Sequence, residues 1–196
     1  MKTTIYIVRH GQTRWNLLGE PNAGQRVPIN TFGIKQAKKS AKHFKKIFLH
    51  CVYCSPALRT RQTAKIIAPK HKHLLEKNFN VRDMGNLDGT TIKQMLKIVP
   101  DVEKQWKKEG IDWIPPGTKE SVRSYMDRSV DAFNKVAEKH KGETALIVTH
   151  AGVMRAIIHW IAGGKPEDFF SRKMPENAEV VKIVYDGKKF KIKEIK

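Results

Sequence analysis

The sequence predicts an α/β fold, a three-layer sandwich in which helices flank a mostly parallel central sheet with an antiparallel carboxyl-terminal edge. Short β-branched segments alternate with segments of helical periodicity along most of the 196 residues. The last two strand-like segments are joined by Asp186-Gly187, a pair typical of tight hairpins. The composition, 40% hydrophobic and 29% charged, is that of a globular chain. We expect a single domain over residues 1–196.

The first half of the chain contains two predicted strands, each followed by a helix. Thr4–Val8 is β-branched and aromatic, which predicts a strand, and a polar loop follows it to about Gly33. Apolar residues at helical spacing, separated by lysines, predict an amphipathic helix over Gly33–Phe48. Val52–Cys54 predicts a short strand, after which Ser55-Pro56 opens a helix that continues to about Ala68.

The second half of the chain is predicted to contain more helix. Pro100 and Pro115-Pro116-Gly117 are expected to interrupt it, with Asp101 as a possible helix cap. The predicted elements are an irregular Lys70–Gly89, two helical pieces on either side of Pro100, a helix over Glu120–Lys139, a strand over Thr144–Val148, a helix over Val153–Ala162, and a hairpin of Glu179–Tyr185 and Phe190–Ile195.

The chain is strongly basic, with 38 Lys and Arg residues against 19 Asp and Glu and a formal net charge of +19. Such a field attracts phosphates, nucleic acids and acidic membranes. Lysines spread over helix faces are also typical of a solvated surface, so the charge alone identifies no partner. No apolar run approaches the roughly 18–20 residues of a membrane-spanning helix, and the first residues lack the features of a signal peptide. We therefore expect a cytoplasmic protein without a membrane span, and no oligomeric state is indicated.

The two cysteines, Cys51 and Cys54, have a C-x-x-C spacing. They fall on a predicted strand, where residues three apart point to opposite faces. A redox pair would need a turn that leads into a helix, and a four-ligand zinc site would need a second pair of ligands. We therefore expect two buried free thiols.

Basic side chains follow the two strongest predicted strands. Arg9 and His10 end the first strand, and His150 follows the strand of the second half. Because ligands bind at the carboxyl ends of parallel strands, we expect both histidines to face one pocket, which Arg59 joins from the helix after Cys54. Two imidazoles and two guanidiniums form a cationic cup suited to a phosphoryl group. Helix N-termini after His10 and His150 are expected to add N–H donors.

One of the two histidines could be a nucleophile. Imidazole titrates near neutrality, so an unprotonated nitrogen is available to attack phosphorus. His10 is the better candidate because Gly11 permits a close approach of the backbone behind it. His150 would be kept protonated by the phosphate and would donate a hydrogen bond to it.

The segment Arg9-His10-Gly11-Gln12-Thr13-x-x-Asn16 resembles the signature of the histidine phosphatase superfamily, the phosphoglycerate mutase-like enzymes. Further segments resemble the same family, in family order and over nearly the whole chain. They are Thr31-Phe32-Gly33-Ile34-Lys35-Gln36-Ala37, Ser55-Pro56-Ala57-Leu58-Arg59-Thr60-Arg61-Gln62-Thr63-Ala64, Pro116-Gly117 with Glu120-Ser121, and Val148-Thr149-His150-Ala151-Gly152. Each segment is weak evidence alone, whereas the ordered set is specific.

The resemblance implies a phosphatase that uses neither a metal nor another cofactor and acts on a phosphorylated small molecule or a phosphoprotein. It implies that His10 is transiently phosphorylated. The residues implied to hold the phosphoryl group are Arg9, Arg59 and His150, with Asn16 assisting and the backbone of Gly11, Gln12 and Thr13 lining the pocket.

The chain departs from the family at the proton donor. Family members usually place a Glu four residues before the first glycine of a Gly-x-x-x-Gly segment, and this chain has Val81 there, before Gly85. Asp83 is the candidate acid and Asp88 is the second choice. The alternative for Asp83 is a structural role in which its side chain stabilises the turn before Gly85.

Two other functions stay open on the sequence alone. A phosphoglycerate mutase would transfer the phosphoryl group to a second substrate rather than to water, although the chain looks short for one and lacks the Glu at position 81. A non-catalytic module that binds phosphoryl groups or nucleic acid would explain Val81 and the charge, but it would not require an attacking imidazole. The segment around Trp106 and Trp113 could form a lid over the pocket or pack as ordinary helix.

Overall fold

The described strands form one sheet of six. The computed structural model describes residues 1–20 and 24–195. The strands are β1 (Thr3–Arg9), β2 (Cys51–Cys54), β3 (His73–Leu75), β4 (Thr144–Thr149), β5 (Val180–Tyr185) and β6 (Phe190–Ile195). In the order β3-β2-β4-β1-β5-β6, the first four are parallel, and β5 and β6 are antiparallel to their neighbours. The predicted mostly parallel sheet with an antiparallel carboxyl-terminal edge is confirmed.

Helices connect most of these strands. They are α1 (Arg14–Leu17), α2 (Thr31–Phe44), α3 (Leu58–Ile67), α4 (Ile92–Ile98), α5 (Val102–Glu109), α6 (Val122–Lys139) and α7 (Ala151–Ile161). Short 3-10 helices cover Lys77–Phe79, Gly85–Leu87 and Pro166–Ser171. Among the described residues, no helix has both the length and the hydropathy needed to cross a lipid bilayer.

Helices cover both faces of the sheet because its central strands are apolar on both sides. Ile5 and Ile7 of β1 belong to a buried cluster that includes residues of α6 and α7. Tyr6 and Val8 belong to a second buried cluster with residues of α2 and α3. Since successive residues of a strand face opposite sides, this continuous apolar run is what a parallel strand between two helical layers requires.

Cys51 and Cys54 lie on β2 and belong to different buried clusters, one on each side of the sheet. Both are free, and burial raises the pKa of each thiol to about 11. The prediction of two buried free thiols is confirmed, and both stay protonated at neutral pH. No group of three or more His, Cys, Asp or Glu side chains among the described residues is arranged to hold a metal ion.

Three local features differ from the sequence-based expectation. The segment Lys70–Gly89, predicted to be irregular, contains β3, which is too short for a periodic signal and forms by pairing with β2. The helix predicted to open at Ser55-Pro56 begins at Leu58, because the Ser55 hydroxyl bonds to side chains of other elements. Asp101 precedes α5 with a φ of 53°, and its side chain makes no capping hydrogen bond.

Candidate active site

The two histidines at the strand ends lie side by side. β1 and β4 are parallel neighbours in the register Arg9↔Thr149, so the residues that follow them, His10 and His150, emerge at the same edge of the sheet. Their ring centroids are 5.2 Å apart, with an interplanar angle of 67°. His10 is 4% exposed and His150 is 2% exposed. The structure therefore brings both imidazoles into one buried contact.

The orientation of His10 leaves one ring nitrogen available for attack. Its Nδ1 lies 2.8 Å from the carbonyl oxygen of Gly11. Because a carbonyl oxygen only accepts hydrogen bonds, Nδ1 must carry the proton, and the lone pair of the neutral ring is then on Nε2. Nε2 is thus the nitrogen that can bond to phosphorus.

A chain of hydrogen bonds holds His150. Its Nε2 lies 2.8 Å from Ser55 Oγ, which itself donates to Asn80 Oδ1 at 2.9 Å. Since the single hydroxyl proton goes to Asn80, Ser55 accepts from the Nε2–H of His150. The other nitrogen, Nδ1, is buried and has no hydrogen-bond partner among the described residues. Buried polar atoms normally have a partner, so Nδ1 is the atom of His150 that can serve a phosphoryl oxygen.

Both predicted arginines are anchored near this histidine pair. Arg59 is 2% exposed, and its Nη1 donates to Gly24 O at 2.9 Å. Arg9 Nη1 donates to Pro175 O at 2.7 Å, while Arg9 Nε is buried and bonds to no residue that the structure describes. Burial lowers the pKa of each guanidinium to about 10, which leaves both charged at neutral pH. Anchored guanidiniums with donors to spare can hold the oxygens of an anion.

The surroundings keep both imidazoles neutral at neutral pH. Burial, followed by the charges of Arg59 and Arg9, lowers the pKa of His10 well below its ordinary value of 6.5. Burial, Arg59 and the neighbouring His10 ring lower the pKa of His150 in the same direction. A bound phosphoryl dianion would have the opposite effect, because its negative charge favours the imidazolium form. The site can therefore offer a neutral nucleophile and a second histidine that becomes protonated as an anion binds.

The loop after His10 packs tightly on α2 through two glycines. A Cβ on Gly11 would lie 2.4 Å from Gly33 O, and a Cβ on Gly33 would lie 2.2 Å from Gln12 O. These collisions are with backbone atoms, which cannot move aside as a flexible side chain can. The first two motif segments of the sequence therefore meet each other, and their glycines are required by this close approach.

The backbone N–H groups of this loop donate to side chains of the protein. The pairs are Gly11 N with Thr63 Oγ1 at 3.0 Å, Gln12 N with Gln36 Oε1 at 2.9 Å, and Thr13 N with Asn16 Oδ1 at 3.1 Å. These contacts fix the shape of the loop that carries His10. A ligand would have to displace the side chains in order to use the three N–H groups.

Asn16 lies beside the backbone of His10 and is joined there by a residue that sequence reasoning missed. Asn177 Nδ2 donates to His10 O at 3.0 Å and to Asn16 Oδ1 at 3.2 Å. Asn16 Oδ1 also accepts from the backbone and hydroxyl of Thr13, so its amide group is the part that can donate to a ligand. Asn177 is 167 positions from His10, and no local motif links such distant residues.

A helix N-terminus is expected after each histidine. α7 begins directly after His150, as predicted for the second strand end. After His10, the chain first passes through the tight contact of Gly11 with α2. The short helix α1 begins only after its cap residue, Thr13. The helix dipole at this edge of the sheet therefore comes from α7.

The two candidate proton donors differ in their contacts. Asp83 and Asp88 are both exposed. Asp83 Oδ1 accepts from Gly85 N at 2.9 Å, which is the turn-stabilising contact proposed as its alternative role. Asp88 Oδ2 lies 3.8 Å from the position that a Cβ on Gly24 would occupy, and Gly24 is also the anchor of Arg59. Burial raises the pKa of Asp88, and the charge of Arg59 opposes that shift. Both carboxylates line a cavity of about 510 Å³.

A buried ion pair holds the segment that carries Asn80 and Asp83. Glu120 is 8% exposed, and its Oε2 accepts from Arg128 Nη2 at 3.0 Å and from Asp83 N at 2.8 Å. Arg128 also donates to three carbonyl oxygens between residues 78 and 81. Glu120 belongs to one of the sequence motifs, whereas Arg128 was not identified from the sequence. The signal for this pair was a basic residue two helical turns beyond a glutamate at a helix start.

Comparison with known proteins agrees with this geometry. The family model described as the histidine phosphatase superfamily (branch 1) matches residues 5–196. The chain belongs to the histidine phosphatase superfamily. The resemblance drawn from the motifs is thus confirmed, and membership supports phosphatase activity.

Several relatives of this superfamily member are similar over most of its length. Phosphoglycerate mutase-like protein 4 of Arabidopsis thaliana is 30% identical over 201 residues, which cover 96% of this chain and 82% of the relative. The metal-independent phosphoserine phosphatase of the same plant is 35% identical over 159 residues, covering 79% and 67%. Among solved structures, Bacillus stearothermophilus YhfR has a TM-score of 0.85 at 22% identity and covers 97% of this chain and 95% of its own. The solved structure shares the fold.

Proposed function

We propose that this protein is a metal-independent phosphatase that hydrolyses phosphomonoesters through a covalent phosphohistidine at His10. The strongest support is the orientation of His10, whose Nδ1–H bond to Gly11 O leaves a lone pair on Nε2. A site that only bound phosphoryl groups would have no use for a neutral imidazole between two arginines. The family match over residues 5–196 supports one catalytic domain over residues 1–196.

In the first step, Nε2 of His10 bonds to phosphorus while the ester P–O bond breaks. Arg9 and Arg59 pair with the phosphoryl oxygens, and His150 donates from a protonated Nδ1. The leaving oxygen takes a proton from a carboxylic acid and departs as the free alcohol. The phosphorylated ring is an imidazolium because Nδ1 keeps its proton, and the carbonyl of Gly11 stabilises that positive charge.

In the second step, water attacks phosphorus and the N–P bond breaks. The carboxylate left by the first step takes a proton from the water, and the N–P electron pair returns to Nε2 of His10. The products are inorganic phosphate, a neutral His10 and a protonated carboxylic acid, so the site is restored. A mutase would differ only here, since a second alcohol would take the place of water.

Asp88 is the better supported of the two candidate acids. A proton donor must be protonated before the leaving group departs, and burial raises the pKa of Asp88 toward that form. Asp83 instead accepts the N–H of Gly85, so its Oδ1 is already occupied by the turn. Asp88 is also the acid whose charge acts on Arg59, a predicted phosphoryl ligand.

Hydrolysis of p-nitrophenyl phosphate in EDTA tests the nucleophile. Wild-type protein is expected to release phosphate and to form an acid-labile, base-stable phosphoprotein, whereas His10→Ala does neither. Single-turnover transfer to 3-phosphoglycerate in place of water would identify a mutase. A wild-type protein that forms no phosphoprotein and binds duplex DNA or RNA in a salt-sensitive manner would be the non-catalytic module.

The dependence on leaving group tests the acid. p-Nitrophenolate departs without a proton, but phenolate is a poorer leaving group and needs one. Asp88→Asn is therefore expected to slow phenyl phosphate hydrolysis about 100-fold and p-nitrophenyl phosphate hydrolysis much less. Asp131→Asn, exposed on α6, is the matched control and should change neither rate. If Asp83→Asn shows this pattern and Asp88→Asn does not, Asp83 is the acid.

A further inference from the structure

An apolar cavity of about 440 Å³ adjoins the phosphoryl site. Its lining includes Gly152, in the first turn of α7 just beyond His150, and Asp88, whose carboxylate interacts with Arg59. Most of its remaining walls are aliphatic, aromatic or thioether side chains. A leaving group that takes its proton from Asp88, the proposed acid, would therefore lie at the edge of this space.

One wall of the cavity is a row of two aromatic rings with a guanidinium at each end. Arg82 Cζ lies 5.1 Å from the centroid of the Trp106 ring, and Arg155 Cζ lies 5.9 Å from that of Phe170. The rings of Trp106 and Phe170 are 4.6 Å apart and inclined by 33°. All four side chains line the cavity. Cation–π and ring contacts hold the row in place, and because the rings cover one another's faces, the row presents apolar ring edges to a ligand.

Among the described residues, no carboxylate forms an ion pair with Arg82. Its Nη2 contacts Met84 Sδ at 3.4 Å, and its Nη1 is buried without a hydrogen bond. Burial lowers the pKa of this guanidinium, and Glu120, whose charge acts on it, is paired with Arg128. Trp106 Nε1 is likewise buried without a partner. Because a half-buried cation without a counter-ion is unfavourable, an anionic group on a ligand would complete this site.

We propose that the substrate is a phosphomonoester whose alcohol has an apolar body and carries a carboxylate, an inference that rests on the proposed phosphatase function. The body lies against the rings of Trp106 and Phe170, and the carboxylate pairs with Arg82. Cavities of this size enclose a fused-ring molecule, and a few polar groups on an apolar wall fix its orientation. A small polar ester such as phosphoserine would leave the apolar wall exposed to water.

Matched substrates separate these two recognition elements. 2-Naphthyl phosphate offers the apolar body alone, and its 6-carboxy derivative adds the acid at the far end of the same body. O-Phosphoserine offers a carboxylate without the body. Wild-type kcat/KM is expected to be highest for the carboxynaphthyl ester and lowest for phosphoserine.

Two variants test the assigned contacts, and the readout is a ratio measured within one preparation. Arg82→Met is expected to lower kcat/KM for the carboxynaphthyl ester about 10- to 100-fold and to lower kcat/KM for the plain naphthyl ester much less. Trp106→Leu should lower kcat/KM for both naphthyl esters about five- to tenfold and leave kcat/KM for phosphoserine nearly unchanged. Arg61→Met, exposed on α3, is the matched control and should change none of these values. Replacing a half-buried cation by Met is compatible with folding.

Product binding keeps the proposal testable independently of turnover. Calorimetry with 6-hydroxy-2-naphthoate should detect binding to wild type and at least tenfold weaker binding to Arg82→Met. The proposal is overturned if the two proteins bind alike, or if phosphoserine is hydrolysed at least as efficiently as the carboxynaphthyl ester. Selective product binding without hydrolysis or phosphoprotein would uphold the cavity assignment and overturn the proposed phosphatase function.

Discussion

Glu120 and Arg128 form an ion pair that holds residues 78–83, the segment that carries Asn80 and Asp83. The carboxylate of Glu120 accepts from the guanidinium of Arg128 and from the backbone N–H of Asp83. Glu120→Gln keeps the shape of the side chain but replaces one acceptor oxygen by an NH₂ group. One of the present donors must then face another donor, and Arg128 loses its counter-charge.

The size of the effect follows from the burial of the pair. Breaking a buried ion pair by removing one partner costs about 3–5 kcal/mol. The Arg128 side chain keeps 23% exposure and Gln keeps one acceptor, so we expect Glu120→Gln to lower the free energy of unfolding by about 2–3 kcal/mol. In a chain of this length each kcal/mol corresponds to about 2–4 °C, so the expected fall in Tm is about 4–12 °C.

Urea and thermal unfolding followed by circular dichroism would measure this loss. Glu167→Gln is the matched control, because Glu167 pairs with Arg123 at 3.2 Å while its side chain is 62% exposed. A surface pair of this kind contributes less than about 1 kcal/mol. Equal losses in the two variants, or a Glu120→Gln protein as stable as wild type, would refute the assignment of Glu120 as the anchor of this segment.

Two further predictions concern the loop and the histidines. Gly33→Ala should destabilise the protein by about 1–3 kcal/mol and slow hydrolysis, because the new Cβ would lie 2.2 Å from Gln12 O. The control is Lys38→Ala, on the exposed side of α2, whose free energy of unfolding should stay within about 0.5 kcal/mol of wild type in urea unfolding. His10 and His150 should remain neutral in ¹⁵N NMR titrations through pH 6.5, since both pKa values are lowered. The unfolded chain then binds more protons, so their contribution to stability is present above pH 6.5 and is lost as the pH falls below it. Histidines that titrate at their ordinary value would contradict the described electrostatics, and orthovanadate should raise the pKa of His150.

The fold class and the histidine pair could be predicted because their signals are local. β1 and β4 each carry an apolar run, and a histidine follows directly after each of them. Parallel pairing then places residues from the two strand ends at one edge without further information. β3 had no such signal, because three residues cannot show a period and its pairing depends on β2.

The proton donor could not be predicted in the same way. Asp83 and Asp88 lie five positions apart in an irregular segment, so spacing does not say which carboxylate faces the phosphoryl site. In the folded chain, Asp83 accepts the N–H of Gly85, and Asp88 lies beside Gly24, whose carbonyl oxygen anchors Arg59. Asn177 and Arg128 were missed for a related reason, since each reaches the site from a segment far along the chain.

By itself, the sequence determined the alternation of strands and helices, the identity of the four basic side chains at the sheet edge, and the superfamily that their motifs indicate. Those features follow from periodicity and from residues adjacent in the chain. Tertiary structure alone decided which nitrogen of His10 is free and which carboxylate lies near Arg59. It also decided that Arg82 lies at one end of the wall of Trp106 and Phe170 and forms no ion pair with a described carboxylate. The physical reason is that hydrogen-bond partners, desolvation and ring contacts depend on distances between segments, and the folded chain sets those distances.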